Sequence, residues 1–174
     1  MKPIELLSKQ TSDAYAWANK LTDSVPFEKW EEVPEIVETN ISWQVGHLIM
    51  SYYYHSVAVI VGHQMDVIQK VPLKEYNEWY TMGQPRNSIG KAHPTILREQ
   101  LTLLESKSIQ VIESLSLEDL DKELAPTQTT HPIAKTKYEA LDWNIKHTMY
   151  HCGQIGMLKR ILGKRFDFGL RLGN

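Results

Sequence analysis

Four long stretches of helical apolar periodicity, with no sustained apolar–polar alternation anywhere between them, restrict this chain to a helical fold. Residues Ile4 to Thr22 bring Leu6, Leu7, Tyr15, Ala18 and Leu21 near one side, and Pro3 suits a first helical turn. Ile41 to Val61 follows Asn40 and Ser42, either of which can cap free N–H groups. Pro94 to Leu115 carries Ile96, Leu97, Leu101, Leu104, Ile109 and Ile112. Lys137 to Leu162 follows Thr136 as cap and stops at Gly163, where a left-handed residue is expected. The connections are long: Val25 to Glu38 contains two prolines, and Gly62 to His93 contains Pro72, Pro85 and the aromatics Tyr76, Trp79 and Tyr80. A short helix is predicted over Leu73–Tyr80, and a one-turn helix at the capping box of Ser116 and Asp119. The expected fold class is all-α, a four-helix bundle with long elaborated connections, in a single domain over residues 1–174.

Composition narrows the partners. The chain has 174 residues, a net charge of -2 and basic residues spread along its length, so the concentrated footprint that nucleic acid requires is missing. No apolar run is long enough to span a membrane, and the start Met1-Lys2-Pro3-Ile4-Glu5 does not read as a signal peptide. Cys152 is the only cysteine, which excludes an internal disulfide and fits a reducing compartment. A cytoplasmic location, with no nucleic acid and no membrane partner, is expected. Cys152 itself reads as a small buried hydrophobe rather than a ligand, since on a helix it points about 100° away from His151.

The histidines carry the chemistry. His147 and His151 stand four residues apart, which on a helix places both imidazoles on one face with Cβ atoms roughly 6 Å apart. The stripe Leu141, Asn144, His147, His151, Ile155, Leu158 and Leu162 keeps to one side, opposite Lys146, Gly153, Lys159 and Arg160, so the pair faces the interior. Two buried imidazoles need partners for four ring nitrogens, and a metal ion supplies them at once. The competing readings are a chance spacing and a hydrogen-bonded core pair. His47 is the third candidate, because Trp43-x-x-x-His47 repeats the spacing of Trp143 to His147. His55 and His63 follow it at eight-residue intervals, which rotate a helix position by about 80°. They are therefore expected at the surface or a loop edge. His93 and His131, each before a proline, read as turn residues, with His131 a distant candidate for a pocket mouth.

Other chemistries find no support. Thr148 stands where a zinc protease needs glutamate, and there is no phosphate loop or serine elbow. Trp43 and Trp143 are expected to wall a pocket as core aromatics, with Asn144 and Gln154 as hydrogen-bonding neighbours of the histidines.

Two segments resemble a known family. Asn40-Ile41-Ser42-Trp43-Gln44-Val45-Gly46-His47-Leu48 is similar to the second-helix motif of the DinB/YfiT-like metalloenzyme superfamily, and His147-x-x-x-His151-Cys152-Gly153-Gln154-Ile155 to its fourth-helix motif. Helix order and the long connection after the second helix agree as well. The resemblance implies a four-helix bundle, a homodimer, and a divalent metal held by His47, His147 and His151. It admits a low-molecular-weight thiol (bacillithiol, mycothiol or glutathione) as cosubstrate, although no motif here selects one. Three imidazoles with open positions suit Zn, Ni, Co or Fe and match a catalytic rather than a structural site. The expected function is metal-dependent thiol transfer or hydrolysis on a small molecule, with catalytic residues beyond the metal ligands unassigned. The alternatives are a non-catalytic metal-binding module and a plain dimerisation domain.

Overall fold

The computed structural model describes residues 2–169, and all its regular structure is helical. In chain order the α-helices are α1 (Pro3–Asp23), α2 (Ile41–Tyr53), α3 (Val59–Val61), α4 (Met65–Ile68), α5 (Leu73–Tyr80), α6 (Pro94–Glu113) and α7 (Lys137–Leu162). α1 packs on α6 and α7, and α2 packs on α5, α6 and α7. The shared core holds Ile41, Leu48, Leu97, Leu101, Leu104 and Ile155, each shielded from solvent. Burying side chains of this size contributes about 1.5–3 kcal/mol each before conformational entropy is set against it.

Local chemistry sets the helix boundaries. Asn40, extended at φ -141°, accepts the Trp43 N–H at 2.7 Å and fixes the start of α2, so the cap is Asn40 and not Ser42. Thr136 and Glu139 form a reciprocal box at the start of α7, as Ser116 and Asp119 do at their 3₁₀ turn. His93 caps α6 by accepting the Thr95 N–H at 3.3 Å, which confirms it as a turn residue. Gly163 is not left-handed: its φ is -175°, an extended angle. The positive φ of 82° falls at Gly62, which ends α3.

The predicted helix from Ile41 to Val61 is interrupted. Tyr54–Ala58 forms a π-helical turn between α2 and α3. A π turn advances each residue through a smaller angle than an α turn, which reduces the drift expected between positions 47 and 55. The consequence is a correction: His55 is only 8% exposed and belongs to the interior.

One close approach explains a glycine. A Cβ at Gly46 would lie 2.3 Å from the Tyr80 ring, so only glycine lets α5 settle directly on the α2 backbone. That contact brings the C-terminal end of α5 beside His47.

Candidate metal centre

α2 and α7 bring His47, His147 and His151 together. One ring nitrogen from each lies within 4.8 Å of those of the other two. The His147 and His151 Nε2 atoms are 3.1 Å apart, close to the edge of about 3.3 Å between nitrogens sharing one tetrahedral zinc ion at 2.0–2.1 Å. His47 meets them from the facing helix, with ring centroids 5.3 Å from His147 and 4.9 Å from His151.

Two of the three rings have their tautomer set by neighbours. The Tyr80 carbonyl, an acceptor only, lies 2.7 Å from His47 Nδ1, so that nitrogen carries the proton and Nε2 keeps its lone pair. The Gln44 Oε1 lies 2.5 Å from His151 Nδ1 and does the same there. Gln44 is itself oriented by donating from Nε2 to the Thr39 hydroxyl at 3.0 Å. His147 differs, because its Nδ1 is buried with no partner among the described residues. Leaving such an atom unpaired costs about 1–3 kcal/mol whichever ring nitrogen holds the proton.

Burial and mutual repulsion keep the cluster uncharged. Desolvation is the main cause in each case: it pushes His151 down to about 2 and His147 down to about 4, and lowers His47 as well. The rings therefore present lone pairs at neutral pH, the form a metal requires. This is the fit a divalent ion needs: convergent nitrogens and two proton positions held by acceptors.

Each tryptophan stacks on the histidine one turn later. Trp43 lies parallel to His47 at 4.9 Å and 7°, pinned by its Nε1 donating to the Gly83 carbonyl. Trp143 covers His147 at 5.9 Å and 26°. His47 and His147 form part of the lining of a cavity of about 1020 Å³, which Met50, Tyr54, Leu73 and Trp143 also border. His151 sits behind them, buried. Trp143 thus lines the cavity, as expected, whereas Trp43 backs the His47 ring and is not among the cavity-lining residues.

The neighbours expected from sequence are partly corrected. Asn144 turns to the bundle centre, where its Nδ2 donates to the Tyr15 hydroxyl at 2.8 Å. The amide that serves His151 is Gln44's, not that of Gln154. Cys152 is buried and outside the nitrogen cluster, and burial pushes its thiol up to about 11, away from the thiolate form. His63 is exposed at the cavity rim and is hydrogen-bonded through Nδ1 to the Tyr53 hydroxyl at 2.9 Å. His131 is buried rather than at a pocket mouth, and lies behind His55 with Nδ1···Nε2 2.8 Å. Arg86 is exposed and does not border the cavity, whereas Arg171 lies outside the described residues. The segment from Arg165 packs on the bundle through Phe166 and Phe168 against Trp17, and Leu170 lies outside the described residues.

The sequence pattern of the DinB superfamily matches residues 10–155. The chain belongs to that superfamily. A solved structure of a conserved protein from Enterococcus faecalis aligns with a TM-score of 0.69 and 15% identity, covering 93% of this chain and 98% of that one. At that identity the likeness speaks for the shared all-helical fold. No curated protein matches the chain by sequence. Among the described residues, no helix is long and apolar enough to cross a membrane.

Proposed function

We propose that the chain is a metal-dependent enzyme of the DinB type, acting on a small molecule in the cavity above His47 and His147. His47, His147 and His151 are the ligands in this reading. The observation that carries it is the fixing of His47 and His151 by acceptor oxygens, which turns two Nε2 lone pairs toward the nitrogen of a third imidazole. Hydrogen bonds of this kind behind metal-binding histidines hold the tautomer and raise ligand basicity.

A divalent ion at three neutral imidazoles supplies Lewis acidity and lowers the pKa of a bound water or thiol. The donor set suits Zn, Ni, Co or Fe. The chain's own contributions are to hold the rings, to exclude water from His151 and to shape the apolar cavity wall. A low-molecular-weight thiol as cosubstrate, transfer or hydrolysis as the reaction, a homodimer as the working form and a cytoplasmic location complete the reading. Cys152 takes no part in it, since its thiol is buried and protonated.

Elemental analysis of tag-free protein tests the proposal. Wild type should hold close to one divalent ion per chain, and His147→Ala and His151→Ala should each lose at least about 100-fold in zinc affinity, more than neighbouring-residue changes do. Unchanged metal content in both variants would end the reading. Circular dichroism of each variant separates loss of the ligand from loss of the fold.

A further inference from the structure

His55 and His131 form a second histidine pair that the three-ligand reading does not use. His131 Nδ1 accepts two backbone N–H groups, from Ala134 at 2.8 Å and from Ile133 at 3.2 Å. That nitrogen therefore carries a lone pair, and neutral His131 has its proton on Nε2. His131 Nε2 lies 2.8 Å from His55 Nδ1, so it donates there. His55 Nδ1 is thereby an acceptor, and the His55 proton must sit on Nε2. The backbone of one loop thus dictates, through two rings, where a proton stands on the π turn that follows α2.

The free end of this relay faces useful space. His55 lines the same cavity as His47 and His147, and its ring meets His147 edge-on at 5.6 Å. Its Nε2 has no hydrogen-bond partner among the described residues, yet it is not among the fully buried unpaired atoms, so it keeps open surface. The relay is also braced: Tyr54 stacks on His131 at 5.6 Å and 5°, with its hydroxyl donating to the Thr129 carbonyl at 3.0 Å. A pair that served only to tie the loop to the helix would need neither a defined outer nitrogen nor a place in the cavity wall.

We propose that His55, locked by His131 as the Nε2–H tautomer, is a neutral hydrogen-bond donor that holds a carbonyl or carboxylate oxygen of the ligand beside the three-histidine site. His131 is the positioning residue that fixes this donor. The proposal builds on the cavity assigned under the metal-dependent reading, but the donor is set by the chain alone.

The test is NMR of the full-length chain labelled with ¹⁵N-histidine, correlating ring carbon-bound protons with both ring nitrogens. In metal-free protein, His55 and His131 should both show a protonated Nε2 and an unprotonated Nδ1. His131→Phe should return His55 to a mixture of tautomers, a change that loss of packing alone does not produce. Acetate and acetamide are then titrated into metal-free and zinc-loaded protein. Either probe should shift the His55 Nε2 resonance, and His55→Phe should weaken its binding about 5- to 10-fold, the share of one neutral hydrogen bond. An Nδ1–H tautomer at His55 in wild type, no response to either probe, or equal probe binding by His55→Phe overturns the proposal. A wild type that takes up no zinc would sink the metal reading, while the metal-free tautomer and titration still decide this one.

Discussion

Two polar clusters arise from α7, and they differ in what their groups pair with. Asn144 and Thr148 point into the bundle centre, whereas His147 and His151 point toward α2 and the cavity. The central cluster pairs largely within itself, with Asn144 Oδ1 the acceptor left over: the Tyr15 hydroxyl sits among Asn144, Ser56 and Ser108, and Thr148 returns its hydroxyl to the Asn144 backbone carbonyl at 2.7 Å. The histidine cluster does not close. Its Nδ1 atoms on His47 and His151 are held by acceptors, but the Nε2 atoms turn toward one another. The lesson concerns which buried polar groups have a ligand to wait for. Groups that pair mostly with one another hold the fold, whereas convergent imidazole nitrogens from facing helices leave a place for a ligand between them.

The comparison predicts separable effects, the largest at the histidine end. Gln44→Leu removes the acceptor for His151 Nδ1 without touching a ligand. Zinc affinity should fall about 10–100-fold, as for other changes to groups behind metal-binding histidines, with the helical content unchanged. Titration against a zinc chelator reads this directly, and wild-type affinity in the variant would remove the Gln44 bond from the account. Gly46→Ala acts through packing. Its methyl group enters the Tyr80 ring, and overpacking of this kind costs about 1–3 kcal/mol. Because Tyr80 also supplies the His47 acceptor, the melting temperature and the metal affinity should drop together.

Asn144→Ala should do the reverse at the other cluster. It leaves the Tyr15 hydroxyl without its amide donor and opens a small void, for a loss of about 1–3 kcal/mol. Metal content should stay at the wild-type level. A variant of normal stability that lost its metal would merge the two clusters and break the comparison.

The sequence carried more of the histidine end than of the centre, for identifiable reasons. Helix periodicity and the caps at Asn40, Ser116 and Thr136 are local signals, so the starts of these helices were legible to within a residue or two. The Trp-x-x-x-His spacing was legible too, because stacking one turn apart is a property of a single helix. The partners behind the rings were not. Tyr80 is 33 residues from His47 and Gln44 is 107 from His151, and nothing local joins them. Assigning Asn144 to the site followed from its shared face with His147, but a face of about 100° covers both the bundle axis and the neighbouring helix. An ideal α-helix through residues 54–58 would turn His55 away from His47, and the π turn that replaces it is not a periodicity signal. The loop carrying His131, which buries it, leaves no periodic trace.

The smallest effect tests the bundle interior from a third direction. Glu105 on α6 is largely buried, with one carboxylate oxygen accepting from Asn19 Nδ2 at 3.0 Å and the other unpaired. Burial raises its carboxyl to about 7, against an unfolded value near 4.5. A carboxyl whose folded pKa lies above its unfolded one favours folding while protonated. Its contribution is therefore complete below about 4.5 and is lost as pH rises through about 7, where the folded state must bury a charge. Glu105→Gln keeps the shape and cannot ionise, so the variant should melt higher than wild type at pH 8, and the advantage should vanish at pH 3.5. With a penalty of roughly 1 kcal/mol after partial relaxation, the gap at pH 8 should be about 2–4 °C. Thermal melts of the two proteins at both pH values settle it: a gap independent of pH would mean the carboxyl is already solvated, and that this part of the interior is open in the way the histidine end is.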